Sequence, residues 1–288
     1  MLDLQALVND SPPWRSNGKF PANSRLRCNA RPPHTLTMTV EPTARFSDRA
    51  SDYLLYRPRY PRAIVDLLAA KGLLTPHSTI ADLGSGTGFL SELFLEHGCT
   101  VHGVEPNQAM RTAGEQHLVR FRSFHSVAAT AEATTLPDAS IDIVTAGQAM
   151  HWFDPQPTLA EIRRITRAPH WFVIVANDRA LDASDFMREY EKLLTDLLPE
   201  YIRVRARYHS LHNWLDDPSR VQSAEFRNHQ IFDEAGLIGR VLSSSYAPKE
   251  GTDHANLIAG LKSLFARHQQ YGSVTFHYRT FVEWAAVG

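Results

Sequence analysis

The stretch that most constrains this chain runs from Thr79 to Glu105, TIADLGSGTGFLSELFLEHGCTVHGVE. A short apolar run, Ile80-Ala81, ends on Asp82 and leads into a turn of small residues, Gly84-Ser85-Gly86-Thr87-Gly88. Past the turn, Phe89, Leu90, Leu93 and Phe94 recur at helical spacing. After Gly98 the chain returns as a second strand, Thr100 to Val104, closed by Glu105. Strand, turn, helix and strand make a βαβ unit, whose crossover is expected to be right-handed. Glycines in such a turn let the backbone pass close beneath a ligand, and the helix amides that begin near Thr87 present positive dipole ends to it. A carboxylate closing the second strand stands where ribose hydroxyls are gripped in sheets of this kind.

Spacing decides which nucleotide the turn suits. The dinucleotide fingerprint is GxGxxG, whereas these glycines alternate strictly, and no Lys-Ser/Thr pair follows to make a phosphate-gripping loop. Asp82, two residues before the first glycine, would repel a pyrophosphate and welcome an ammonium. A ligand with a ribose, an amino-acid carboxylate and an amine fits all of these features, and S-adenosylmethionine is that ligand. The stretch resembles motif I of the class I S-adenosylmethionine-dependent methyltransferases, in the small-molecule branch. The resemblance covers about residues 46 to 285. It implies an α/β fold: a doubly wound, Rossmann-like, seven-stranded and mostly parallel sheet with flanking helices and a small helical lid at about 181–220.

Other segments carry the resemblance further. Tyr56-Arg57-Pro58-x-Tyr60-Pro61 is similar to the element preceding motif I, which implies that Tyr53, Tyr56 or Arg57 closes the site, with Arg57 able to pair a carboxylate. Read from the residues alone, the same segment is a cap, with Ser47 or Asp48 leading and Pro61 opening a helix through Ile64, Leu67 and Leu68. Past Glu105, Pro106-Asn107 starts a further helix, with Met110 turned to the adenine side. Thr130-Ala131-Glu132 followed by Leu136-Pro137-Asp138 resembles the family's second motif; Thr130 replaces the Asp that meets the adenine amine, and its hydroxyl can still accept a hydrogen bond. Gln148-Ala149-Met150-His151-Trp152-Phe153 is similar to the loop after the fourth strand in one branch. Arg167-Ala168-Pro169-His170 replaces the usual Arg-Pro-Gly-Gly, so the turn into the fifth strand must be built differently. Ser243-Ser244-Ser245-Tyr246 resembles that branch's serine-tyrosine segment. The cofactor set implied is Asp82, Gly84, Ser85, Gly86, Thr87, Gly88, Glu105, Pro106, Met110, Thr130, Ala131, Glu132 and Gln148.

Methyl transfer is a single in-line displacement, so the fold need only align an acceptor lone pair, exclude water and at times take a proton. His151 is the candidate base, because its ordinary pKa leaves much of it neutral near pH 7. The alternatives are a structural hydrogen bond beneath the lid or, for a carboxylate acceptor, an orienting donor. Trp152 reads as a pocket wall. Two rival readings stand beside the enzyme. One is a protein that binds S-adenosylmethionine without turnover. The other is an NAD(P)-dependent Rossmann oxidoreductase, which the absence of a Ser/Tyr-x-x-x-Lys pair near the fourth strand disfavours.

Composition sets the bounds. The 288 residues are 43% hydrophobic with a net charge of −1 and charges of both signs interspersed, so no basic face points to nucleic acid or anionic membrane. No apolar run approaches the roughly 18 residues of a spanning helix. Two cysteines, Cys28 and Cys99, in unlike contexts suggest no disulfide framework. The 14 histidines show no metal-ligand spacing, so no metal is expected. Together these suggest a soluble, cytoplasmic protein, and the resemblance implies a small-molecule methyl acceptor. Residues 1–42, rich in Pro and Arg with no apolar period, read as a disordered tail or a leader upstream of a start at Met38, with 43–288 as the methyltransferase domain. Further expectations are a strand at 226–230, a helix at 232–242, a helix capped by Asp253, and a last strand at 274–282 at or near the sheet edge.

Overall fold

A computed structural model describes residues 55–198, 201, 210–244 and 246–288. The leader, Ser47, Asp48, Tyr53, Cys28 and Ser245 lie outside the described residues. In chain order the elements are α1 (Ala63–Ala70), β1 (Thr79–Leu83), α2 (Phe89–Glu96), β2 (Thr100–Val104), α3 (Gln108–His117), β3 (Phe124–Val127) and β4 (Ile141–Gly147). They continue as α4 (Pro155–Ile165), β5 (Thr166–Arg179), α5 (Asp185–Leu197), β6 (Gln222–Phe232), α6 (Glu234–Leu242), α7 (Gly251–His268) and β7 (Val274–Ala286). Among the described residues, no helix is long and apolar enough to cross a membrane.

The strands form one seven-stranded sheet in the order β3-β2-β1-β4-β5-β7-β6. The first five are parallel, and β7 runs antiparallel to both β5 and β6. Strand order reverses beside β1, where the chain passes to β2 on one side and β4 lies on the other. That is the switch point at which open α/β sheets bind ligands beyond their carboxyl ends. Alternation along the strands sorts the core onto two faces. Ile80, Ile143, Val173 and Val175 pack with α1 and α2, while Ala81, Leu83, Val144 and Ile174 pack with α4. Parallel strands covered on both faces must be apolar on both, which the buried residues of β1, Ile80 to Leu83, satisfy except at Asp82.

A third cluster joins α5, α6 and α7 to the first half of β7, through Tyr190, Leu194, Leu237, Leu261, Phe276 and Tyr278. The stretch 181–220 is therefore divided. Its helix α5 belongs to this roof, but Leu211 and Trp214 pack into the core on the α4 face. One local expectation needs correction, the cap of the last long helix. That helix is capped at Glu250, and Asp253 sits in its first turn. β7 lies one strand in from the sheet edge, in keeping with the place expected of it, because β6 pairs with Val274 to Trp284 and takes the edge itself. The segment in place of Arg-Pro-Gly-Gly is indeed built differently: within the first residues of β5 a cis Ala168–Pro169 bond is followed by His170 at φ 65, with Thr166 Oγ1 3.0 Å from His170 Nδ1.

Candidate functional site

The site grows from the turn between β1 and α2. Gly84 N and Ser85 N both donate to Val104 O, at 2.8 and 3.1 Å, so the turn hangs from the end of β2. Gly84 has φ 63, and a Cβ there would lie 2.6 Å from Ala149 Cβ and 3.2 Å from Phe153 Cζ. Only glycine lets the loop after β4 lie down on this turn. Gly86 is different. At φ 56 a Cβ would meet nothing nearer than Met110 Cε at 3.4 Å. The backbone is left-handed beneath open space, a cradle that any side chain would fill. Thr87 is 2% exposed and its Oγ1 has no partner among the described residues. Gly88 then caps α2, whose first amides open toward the same space.

Glu105 closes the cradle from β2. It is 8% exposed, and its carboxylate accepts from Gly86 N at 2.9 Å and Asn107 N at 2.8 Å. One acid therefore fixes both the glycine turn and the entry to α3, whose cap Asn107 accepts from Met110 N. Burial pushes the Glu105 carboxyl up, while those two amides and the Arg111 charge pull it back. Pro106 is exposed at the rim, and Met110 is buried against the turn.

Asp82 lies deeper. It is 1% exposed, its Oδ2 accepting from Ser91 Oγ at 2.7 Å and its Oδ1 from Thr145 Oγ1 at 3.0 Å. The carboxylate ties β1 to α2 and β4 beneath the turn. Burial raises its pKa to about 6 against those two hydrogen bonds. A carboxyl with a raised folded-state pKa stabilises the fold fully below its unfolded value of 3.8, and that contribution is lost as pH rises through about 6. The loss is of order 3 kcal/mol. Asp82→Asn should therefore gain stability relative to the parent by about that amount between pH 4 and pH 7.5. Urea unfolding at both values measures it, and a pH-independent difference would contradict the assignment.

The loop after β4 supplies the other wall. Gln148, exposed at φ 57, donates its Nε2 to Asn177 O at 2.7 Å. Met150–Trp152 is a 3-10 turn, with the His151 and Trp152 rings 4.6 Å apart at 46°, and Trp152 is 37% exposed. Because Ala149 and Phe153 rest on Gly84, the half-buried His151 is held beside the glycine turn. The 130–138 segment approaches from below. Thr130 is exposed, Ala131 buried, and Glu132 accepts from Asp154 N at 3.0 Å. Thr134 is pinned at 2.7 and 2.6 Å to Glu161, whose carboxyl Arg164 holds down to about 2.

Tyr56 and Arg57 sit away from the turn, on the roof. Arg57 Nη2 donates to Ser243 O at 3.3 Å and Ser244 Oγ at 3.5 Å, and Tyr56 packs on Gly239 of α6. Motif reading missed Arg59 and Glu92. Arg59 lies over the Phe89 ring at 4.7 Å and contacts the buried Glu92, which Arg120 also reaches at 2.7 Å. Only a charged residue on the inner face of α2 hinted at it.

Residues 81–174 match the family model described as a methyltransferase domain. An uncharacterized methyltransferase of Mycobacterium bovis is 33% identical over 138 residues, 46% of this chain and 52% of that protein. An uncharacterized methyltransferase-like protein of Schizosaccharomyces pombe is 29% identical over 150 residues, covering 52% and 57%. The chain thus spans about half the length of these curated relatives. A solved structure described as a candidate type II methyltransferase from Anaeromyxobacter dehalogenans shares the fold, with TM-score 0.57 and 22% identity over 81% of this chain and 98% of that one.

Proposed function

We propose that this chain, whose residues 81–174 match a methyltransferase domain, works as a class I S-adenosylmethionine-dependent methyltransferase and methylates a small-molecule acceptor. The observation that carries this reading is the open, left-handed Gly86 above the Glu105 carboxylate. The cradle fits the cofactor: Glu105 would take the ribose hydroxyls, Thr87 and the α2 amides its amino-acid carboxylate, and Met110 one side of its adenine. Pro106, Thr130, Ala131, Glu132 and Gln148 would complete the contacts. Asp82 acts from beneath, holding the turn in shape and adding negative potential below an ammonium.

When bound, the cofactor supplies an electrophilic methyl on a sulfonium. The chain's own residues align the acceptor and keep water out. The loop carrying His151 and Trp152 walls the acceptor side, and the α5–α6–α7 roof covers it. His151 would take a proton from an acceptor hydroxyl or amine as the lone pair attacks. For a carboxylate acceptor it would orient rather than deprotonate.

Two measurements test the reading. Calorimetry should show saturable binding of S-adenosylmethionine and none tighter of NAD; the reverse order would sink the cofactor assignment. Transfer of radiolabelled methyl to a metabolite panel separates an enzyme from a protein that only binds the cofactor. His151→Ala is expected to lower turnover by roughly 100-fold or more while cofactor affinity stays within a few-fold. Full turnover in that variant on the true acceptor would remove His151 from the proton step.

A further inference from the structure

The roof holds cations that the cofactor reading does not use. Arg179 ends β5, at the same end of the sheet as the glycine turn, and pairs in register with Tyr278 of β7. Its guanidinium lies over the Tyr201 ring at 4.9 Å and the Tyr190 ring at 5.7 Å. Among the described residues it makes no ion pair, and its buried Nη1 has no hydrogen-bond partner. Arg240, 5% exposed on α6, lies over the Phe276 ring at 5.7 Å, and its hydrogen bonds among the described residues go to neutral hydroxyls, Tyr278 Oη at 3.1 Å and Ser244 Oγ at 3.3 Å. Arg57 arrives at the same Ser244 from the strand-preceding segment.

A second, independent sign is Tyr190. It is 0% exposed, yet among the described residues its Oη also lacks a partner. Glu191, the carboxylate next in sequence, is taken up by Tyr201 Oη at 2.7 and 2.6 Å. The Glu191 charge still favours the Arg179 cation, but among the described residues it makes no ion pair with the guanidinium, and a buried cation whose donors go unpaired is unfavourable, as is a buried unsatisfied hydroxyl. Phenol rings soften the cost by presenting their faces, but they do not satisfy the N–H donors. The field there is positive enough that Arg179, Arg240 and a Ser244 hydrogen bond outweigh burial at Tyr246 and lower its pKa. Planar guanidinium forks with free donors match a carboxylate in both charge and geometry.

We infer that Arg179 and Arg240, with the Tyr190 hydroxyl, form the receptor for a carboxylate group on the methyl acceptor. The inference rests on the methyltransferase reading for the word acceptor, but the anion site stands on its own geometry. Arg179 supplies the unpartnered donors, Tyr190 the third, and Arg240 the fixed positive charge behind them. The acceptor is thereby a small carboxylic acid, held by this group while its reacting atom faces the loop of His151.

The test titrates the full chain with succinate, with and without S-adenosylhomocysteine, using neutral succinamide and inorganic phosphate as comparisons. Succinate should bind saturably, and succinamide should not. Arg179→Met should weaken succinate at least tenfold. Tyr190→Phe, which removes only an unpartnered hydroxyl, should weaken it several-fold while the melting temperature of the ligand-free protein holds or rises. No saturable succinate binding in either state overturns the site, as does unchanged affinity in a folded Arg179→Met. If that variant does not fold, unchanged affinity in Tyr190→Phe overturns it alone. Phosphate binding more tightly than succinate overturns the carboxylate assignment. S-adenosylmethionine affinity is read in the same samples, so failure of the cofactor reading appears separately from failure of the anion site.

Discussion

Gly86→Val is expected to abolish measurable S-adenosylmethionine binding, a loss of at least a hundredfold, while the protein still folds. Two effects combine. A valine at φ 56 is strained, because a β-branched residue in the left-handed region costs about 1–2 kcal/mol or more. Nothing but Met110 Cε lies within 3.4 Å of the new Cβ, so the side chain finds room by occupying the cradle itself. Stability should fall modestly and affinity steeply. Gly84→Val should do the opposite, since its Cβ would strike Ala149 at 2.6 Å and pry the His151 loop off the turn. Calorimetry and thermal melts on both variants separate the two roles. Gly86→Val binding with parental affinity would show that the ligand lies elsewhere.

Glu105→Ala should weaken cofactor binding by about a hundredfold. Each charge-assisted bond from a ribose hydroxyl is worth roughly 1.5–3 kcal/mol, so even partial loss of two amounts to around two decades. The variant also strands the Gly86 and Asn107 amides, which now donate to this carboxylate. A drop in melting temperature should accompany the affinity loss, and Glu105→Gln, which keeps an acceptor for one amide, should recover part of both. Parental affinity in the alanine variant would exclude Glu105 from the ribose contact.

The βαβ unit was legible in the sequence because everything that defines it is local. Asp82, the alternating glycines and Glu105 sit within one continuous run, and β1, α2 and β2 formed where the pattern put them. What the pattern could not show lies across the chain. The partner of Asp82, Thr145, is 63 residues away, and nothing in a strand's composition announces that its threonine will face a buried acid. The reach of β6 beyond 226–230 was hidden because Gln222, Ser223, Glu225, Arg227 and Asn228 leave it weakly apolar, as befits an edge. β7 alternates as a strand at or near an edge would, and β6 pairing outside it puts it one strand in. Arg57 bonds Ser243 and Ser244, and among the described residues the roof also holds Arg179, whose Nη1 lacks a partner and which no motif marks.

One short run, Tyr56 to Tyr60, touches both halves of the site. Arg57 holds the end of α6, Pro58 and Arg59 carbonyls accept from Asn177 at 3.5 and 3.4 Å, and Arg59 O also accepts from Asn228 at 2.8 Å. The Arg59 side chain grips Glu92 of the glycine helix, and Tyr60 presses on Gly147 at the end of β4. The run is a strap buckled at both ends. Roof helix and glycine helix are thus joined through five consecutive residues, so a change at either end of the run is passed along the backbone to the other.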